Sequence, residues 1–197
     1  MRLGIYGGSF DPVHNAHLAI AKACQQHAAL DEVWFTPTAV QPLKHHGPHA
    51  TDAQRVEMLR LATADKPTWR VCTLEIDRGG FSYTVETLRQ IHEELPEAEL
   101  FFPIGGDALR DVPQWKEPRE IFRLATPLVV RRAGRQSPDL HQIEPLCTEA
   151  TQPRLIEMPA MEESSTEIRR RIAAGATIND VVPLAVADYI QAHQIYC

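Results

Sequence analysis

The feature that most constrains this chain is the alternation of short apolar runs with amphipathic stretches. Arg2–Tyr6 reads as a buried strand. Ala16–Leu30 follows with Leu18, Ala21 and Ala28 on one apolar face, the spacing of a helix. Glu32–Thr36 is a second strand, stopped by Pro37, and residues 38–50 are a polar loop rich in His and Pro. Thr51 and Gln54 form a capping box that opens a helix with Val56, Leu59 and Ala62 inward. Val71–Ile76 reads as a strand, Thr84–Leu95 as a helix, Glu99–Ile104 as a strand, Glu117–Leu124 as a helix and Leu128–Arg131 as a strand. Residues 133–153 carry no strong period. Leu155–Met158 is the last strand, and Ser164–Ala174 is a helix with a second capping box, Ser164 to Glu167, and a stop at Gly175. Pro183 opens a final helix ending near His193.

Such alternation predicts an α/β fold, a Rossmann-like doubly wound parallel sheet with helices on both faces. No internal repeat or linker interrupts it. Residues 1–197 are therefore expected to form a single domain, with the C-terminal helical part, about 164–197, packed on it.

Charge and apolar runs narrow the function classes. Twenty Lys and Arg against 26 Asp and Glu leave a formal charge of −6, which argues against a protein that coats nucleic acid. A local basic pocket for a small phosphate ligand remains compatible with that balance. No apolar run approaches the ~18 residues of a membrane span, and the Gly-broken start has no signal-peptide core. Cys24, Cys72, Cys147 and Cys197 are scattered without a CxxC pair, which suggests reduced thiols in a cytoplasmic protein.

In an open parallel sheet, ligands bind beyond the carboxyl ends of the strands. The first such loop is Gly7-Gly8-Ser9-Phe10-Asp11-Pro12-Val13-His14-Asn15-Ala16-His17. Paired glycines after a strand let a backbone approach a ligand closely, although they also make ordinary tight turns. A helix N-terminus then offers free N–H groups to a phosphate, and His14 and His17, three apart, would place both rings on one side. The glycine phase does not fit a dinucleotide fingerprint. The second candidate is Ser164-Ser165-Thr166-Glu167-Ile168-Arg169. It reads either as a capped surface helix or as a polyphosphate cradle of hydroxyls, amides and a guanidinium.

Taken together, these two segments resemble the nucleotidyltransferase superfamily and, more narrowly, bacterial nicotinate mononucleotide adenylyltransferases. Further segments carry the narrower likeness: Pro42-Leu43-Lys44, Gln54-Arg55 with Met58-Leu59, Ser82-Tyr83-Thr84 with Thr87-Leu88, Gly105-Gly106-Asp107, Trp115, Arg132-Ala133-Gly134, and Asp180 to Tyr196. The likeness spans nearly the whole chain and is weakest over residues 135–153. It departs at Ala16, where the family commonly has Gly; the sequence leaves open whether a methyl there crowds the phosphate approach. Ser9 stands for a usual Thr, and Glu163 for an apolar residue.

The resemblance implies a nucleotidyltransferase-type sheet and adenylyl transfer from ATP to nicotinate mononucleotide, giving deamido-NAD and pyrophosphate in NAD biosynthesis. It implies His14, His17, Lys44 and Arg169 as catalytic residues, with His17 nearest the α-phosphate. ATP would meet Gly7, Gly8, Ser9, Phe10, His14, His17, Gly105, Asp107, Ser165, Thr166 and Arg169. The acceptor would meet Gly8, Ser9, Lys44, Tyr83, Thr84 and Trp115, the last stacked on the pyridine ring. Mg²⁺ would arrive held by ATP rather than by a protein cage. The expected partners are these substrates alone, with no nucleic acid and no membrane, and a homo-oligomer is compatible with the chain. Competing readings are an adenylyl- or cytidylyltransferase with another phosphate acceptor such as phosphopantetheine, a non-catalytic nucleotide-binding protein, and a metal-dependent hydrolase using the His pair. The hydrolase lacks a carboxylate-rich ligand set.

Overall fold

The computed structural model describes the chain from Met1 to Cys197 apart from Lys44, His45, Arg135, Gln136 and Glu162, with the backbone alone at Asp107 and Arg132. The elements run β1 (Arg2–Gly8), α1 (Asn15–Ala28), β2 (Glu32–Pro37), α2 (Asp52–Thr63), β3 (Trp69–Val71), α3 (Leu74–Arg78), α4 (Thr84–Glu94) and β4 (Glu99–Gly105). A 3₁₀ segment (Gly106–Gln114), α5 (Pro118–Leu124), β5 (Ala125–Arg132), two 3₁₀ turns (Leu140–Gln142 and Glu144–Leu146), β6 (Arg154–Met158), α6 (Ser165–Ala173) and α7 (Leu184–Ala192) complete it. The six strands form one sheet in the order β3-β2-β1-β4-β5-β6, and all its neighbours pair in parallel.

Period-two alternation sorts the strand side chains between two cores. Tyr6, Val33, Phe35, Phe101, Leu128, Val130 and Ile156 pack on one face with residues of α1, α2, α6 and α7. Leu3, Ile5, Phe102, Ile104 and Val129 pack on the other with α4, α5 and the Gly106–Gln114 segment. Both faces are covered, which is why the central strands read as continuous apolar runs.

Two local expectations are corrected. The Val71–Ile76 strand is instead a short β3 ending at Val71, followed by the single turn α3. Cys72 N–H makes the last ladder bond, to Phe35 O at 2.9 Å, and Asp77 N–H then bonds Thr73 O at 2.8 Å. Thr73 Oγ1 also donates to Asp77 Oδ2 at 2.7 Å, so a four-residue polar link overrides the alternation. The Ser164–Glu167 capping box forms by half: Ser164 Oγ accepts from Glu167 N–H at 3.2 Å, while the Glu167 carboxylate pairs with Arg170. At Thr51 and Gln54 both halves of the box form.

The sheet opens where its order reverses. Between β1 and β4 the ladder runs from Arg2–Glu99 to Gly4–Phe101, although the strands continue to Gly8 and Gly105. On their outer sides both stay paired to the end, Gly8 with Pro37 and Gly105 with Val130. The two central strands therefore part at their carboxyl ends. This is the switch-point crevice of a doubly wound sheet, and both candidate glycine loops leave from it.

Candidate active site

The loop after β1 lies over a packed aromatic floor. Phe10 is fully buried at φ 46°, edge-on to Tyr6 with centroids 5.4 Å apart and near Phe35 at 5.8 Å. A Cβ on Gly8 would lie 3.0–3.2 Å from this ring, so glycine lets the backbone lie flat on it. A Cβ on Gly7 would meet nothing within 4 Å, and the same holds at Gly105 across the crevice. Those two backbones face open space. Phe10 was expected at the ATP, but its side chain is floor, so only its backbone can reach a ligand.

His14 and His17 are brought together as expected. His14 is the N-cap of α1, and the rings stack with centroids 3.7 Å apart and planes 27° apart. Phe10 meets the His17 ring at 5.0 Å. The backbone N–H of His14 donates to His17 Nδ1 at 3.2 Å. With Nδ1 accepting, the neutral imidazole carries its proton on Nε2 and offers it as a donor. Neighbours on both sides and a fixed tautomer preorganise that donor. Ala16, between the two histidines, is fully buried.

The C-terminal segment reaches this loop through main-chain oxygens. Arg169 Nη1 donates to Asp11 O at 2.7 Å and lies 3.6 Å from Asp11 Oδ2. Ser165 Oγ donates to Pro12 O at 3.0 Å. The α6 start thus stands beside the α1 start, and Thr166 is exposed there. Arg170 and Arg171 pair with Glu167 and Asp180, as solvated surface residues do.

Three residues without an assigned role hold this arrangement. Asp11 is a buried hub: Oδ2 accepts from His49 N–H at 2.7 Å, and Oδ1 accepts from Ala50 N–H at 3.0 Å and from the Tyr196 hydroxyl at 2.7 Å. Burial pushes its carboxyl up, but the two N–H donors, Tyr196 and Arg169 together hold it below the usual aspartate range. Tyr196 is correspondingly pushed far up by burial and by the carboxylate it faces. Arg55, fully buried, donates to Ser9 O at 2.7 Å, Thr38 O at 2.6 Å and Asp52 Oδ1 at 2.6 Å. It ties the first loop to the loop after β2. Asp11, Arg55 and Tyr196 all sit in the segments that carry the family likeness, but nothing in their spacing tells that they meet.

Beyond Gly7, Gly8 and Gly105 the crevice widens into a cavity of about 290 Å³. Tyr83, Thr84 and Trp115 line it, together with Leu43, Glu75 and Lys116. Trp115 follows the 3₁₀ segment and lies 6.5 Å from Phe102. Tyr83, the N-cap of α4, offers no side-chain acceptor, so the N–H groups of Thr84 and Val85 stand ahead of the first helical bonds. Lys116 Nζ sits 4.6 Å over the Tyr83 ring and pairs with Glu86 at 2.5 Å. Lys44 lies outside the described residues, as does the side chain of Asp107.

A crevice with a phosphate-suited end and an apolar, aromatic end defines a nucleotidyltransferase site, and the chain belongs to the cytidylyltransferase-like family, whose model matches residues 5–171. It is similar over its full length to nicotinate-nucleotide adenylyltransferases. A protein of Thermus thermophilus named "Probable nicotinate-nucleotide adenylyltransferase" is 43% identical over 197 residues, covering 100% of both chains. One of the same name from Clavibacter michiganensis is 40% identical, covering 100% of this chain and 94% of its own. In fold the chain is similar to the nicotinic acid mononucleotide adenylyltransferase of Plasmodium falciparum, solved complexed with NaAD. The two superpose with a TM-score of 0.77 at 20% identity, covering 99% of this chain and 97% of the other. Among the described residues no helix is long and apolar enough to cross a membrane.

Proposed function

We propose that this chain transfers the adenylyl group of ATP to nicotinate mononucleotide, releasing pyrophosphate and forming deamido-NAD. The observation that carries the reading is the crevice between β1 and β4, with histidines at a helix start on one side and a Trp-lined cavity on the other. The full-length relatives named nicotinate-nucleotide adenylyltransferases support the same substrates.

In this reading an oxygen of the acceptor phosphate attacks the ATP α-phosphorus in line. A new P–O bond forms, the α–β bridging P–O bond breaks, and its electron pair leaves with pyrophosphate. The second phosphate pKa is about 6, so the nucleophile is largely ionised at neutral pH and no general base is needed. Catalysis is then positioning and charge stabilisation. His17 Nε2–H donates to an α-phosphoryl oxygen, and His14 stacks behind it. Lys44 and Arg169 supply fixed positive charge, and the α6 start at Ser165 and Thr166 holds the outer phosphates. Gly105 and Asp107 face the ATP ribose.

Mg²⁺ enters as part of the ATP substrate and neutralises its phosphates. The first loop fits that arrangement: its carboxylate, Asp11, is turned inward onto two N–H groups and Tyr196, away from an anionic ligand's charge.

Steady-state kinetics with ATP or CTP and a panel of acceptors tests the reading. The N–H groups at the α4 start match both oxygens of a carboxylate, whereas a carboxamide presents an NH₂ to one of them. The expected result is ATP-dependent pyrophosphate release with kcat/KM for nicotinate mononucleotide at least ~10²-fold above that for the amide. Trp115→Ala is expected to weaken both acceptors by about 1–3 kcal/mol through lost stacking while keeping much of the acid preference. Equal use of acid and amide overturns the acceptor; preference for phosphopantetheine or CTP replaces the reading with another superfamily activity.

A further inference from the structure

Glu75 is a buried carboxyl that none of these roles uses. It lies on α3, is 5% exposed and lines the acceptor cavity with Tyr83, Thr84 and Trp115. Thr87 Oγ1 donates to its Oε1 at 2.7 Å. Its Oε2 has no hydrogen-bond partner among the described residues. A buried acceptor left open costs stability unless something else meets it.

The charged groups around Glu75 leave that oxygen uncovered. Arg78, on the same turn, gives Nη2 to Thr87 Oγ1 at 3.1 Å and lies 3.9 Å from Glu86 on α4. Lys116, from the segment after the 3₁₀ helix, is paired with Glu86. Burial raises the proton affinity of Glu75, while Thr87, Ser82 and Arg78 work against that rise.

The chemistry of the acceptor supplies the missing partner. A pyridine ring linked to ribose through its nitrogen is a quaternary cation at every pH. Nicotinate mononucleotide therefore offers a negative carboxylate and a positive ring. We propose that Glu75 is a specificity-determining residue of the acceptor site, its open Oε2 serving as counter-ion to the cationic ring stacked on Trp115. The α4 start then reads the carboxylate and Glu75 reads the ring, two charges of opposite sign at one cavity. A low local dielectric strengthens both contacts. The inference rests on the acceptor assignment above.

The test compares nicotinate mononucleotide with its 1,4-dihydro form, which keeps the carboxylate, ribose and phosphate but has a neutral ring. The wild type is expected to favour the cationic ring by roughly tenfold or more in kcat/KM, the equivalent of one modest charge contact. Glu75→Gln should bring that ratio close to one and leave KM for ATP unchanged. Thr87→Val, which removes a hydroxyl from the carboxyl but keeps the charge, should preserve the ratio. Should Glu75→Gln fail to fold, Glu75→Asp decides, because drawing the charge back by one methylene must lower the ratio. Equal use of both rings by the wild type overturns the proposal, as does a Glu75→Gln enzyme that is slower but keeps the wild-type ratio. Should neither mononucleotide be adenylylated while another acceptor is, the acceptor assignment itself fails, and the two failures stay distinct.

Discussion

The hydroxyl of Tyr196 donates to Asp11 Oδ1 at 2.7 Å across 185 positions of sequence, joining the last residues of the chain to the first loop. Val182, Val186, Ile190 and Ile195 are buried along the way. A fully buried apolar side chain contributes ~1.5–3 kcal/mol, so this seam holds the C-terminal segment down. The hydrogen bond decides what the segment touches. Tyr196→Phe keeps the ring and removes the donor to a buried carboxylate. It should lower unfolding free energy by about 1.5–3 kcal/mol, read from urea denaturation. Loss below ~0.5 kcal/mol would mean that water or another donor replaces the hydroxyl.

Asp11 makes stability depend on acid. Its carboxyl titrates below the usual aspartate value in the folded chain, so the folded state binds its proton less readily than the unfolded state. The stabilisation is complete above the unfolded value of about 3.9 and is lost as pH falls through the lower folded value. Asp11→Asn should be less stable than the wild type at pH 7, with a gap that narrows as pH falls below about 4. Chemical denaturation of both proteins from pH 7 to 3 measures the gap, and a constant gap contradicts the linkage.

His17 should act mainly in the transition state, because its donor is already fixed by the His14 N–H and the Phe10 ring. His17→Ala is expected to lower kcat by about 10²–10³-fold with a smaller change in KM for ATP. An unchanged kcat removes His17 from the chemistry.

Ala16→Gly probes the departure from the family pattern. Ala16 is fully buried and is not among the residues lining the cavity, so ATP affinity should stay within about twofold of wild type. Stability should fall by about 0.5–1 kcal/mol, from the helix preference for Ala at this second residue of α1. Isothermal titration and thermal melts read the two effects separately, and markedly tighter ATP binding would show that the methyl crowds the phosphate approach.

Local order was legible in the residues themselves. The apolar runs at Arg2–Tyr6, Glu99–Ile104 and Leu128–Arg131, helical spacing after His14 and Thr84, and the Thr51–Gln54 box act within a few residues, and each became part of an element of the expected kind. At α3 the pattern misled, because a Thr73–Asp77 hydrogen bond competes with alternation over the same residues. The doubly wound class followed from strand–helix alternation, since only a parallel sheet accommodates it.

What joins distant segments was settled only by the tertiary structure. The parting of β1 from β4 depends on which neighbours each strand keeps, and neither strand's own residues record that. Arg55, Asp11 and Glu75 look like surface charges in sequence, because burial of a charged side chain is decided by partners up to 185 positions away. Arg169 and Ser165 stood out in sequence as candidate phosphate ligands, but that they meet the main-chain oxygens of Asp11 and Pro12 is seen only in the folded chain. Periodicity registers what a residue does to its immediate neighbours, and a site assembled from strand ends registers only when the sheet brings those ends together.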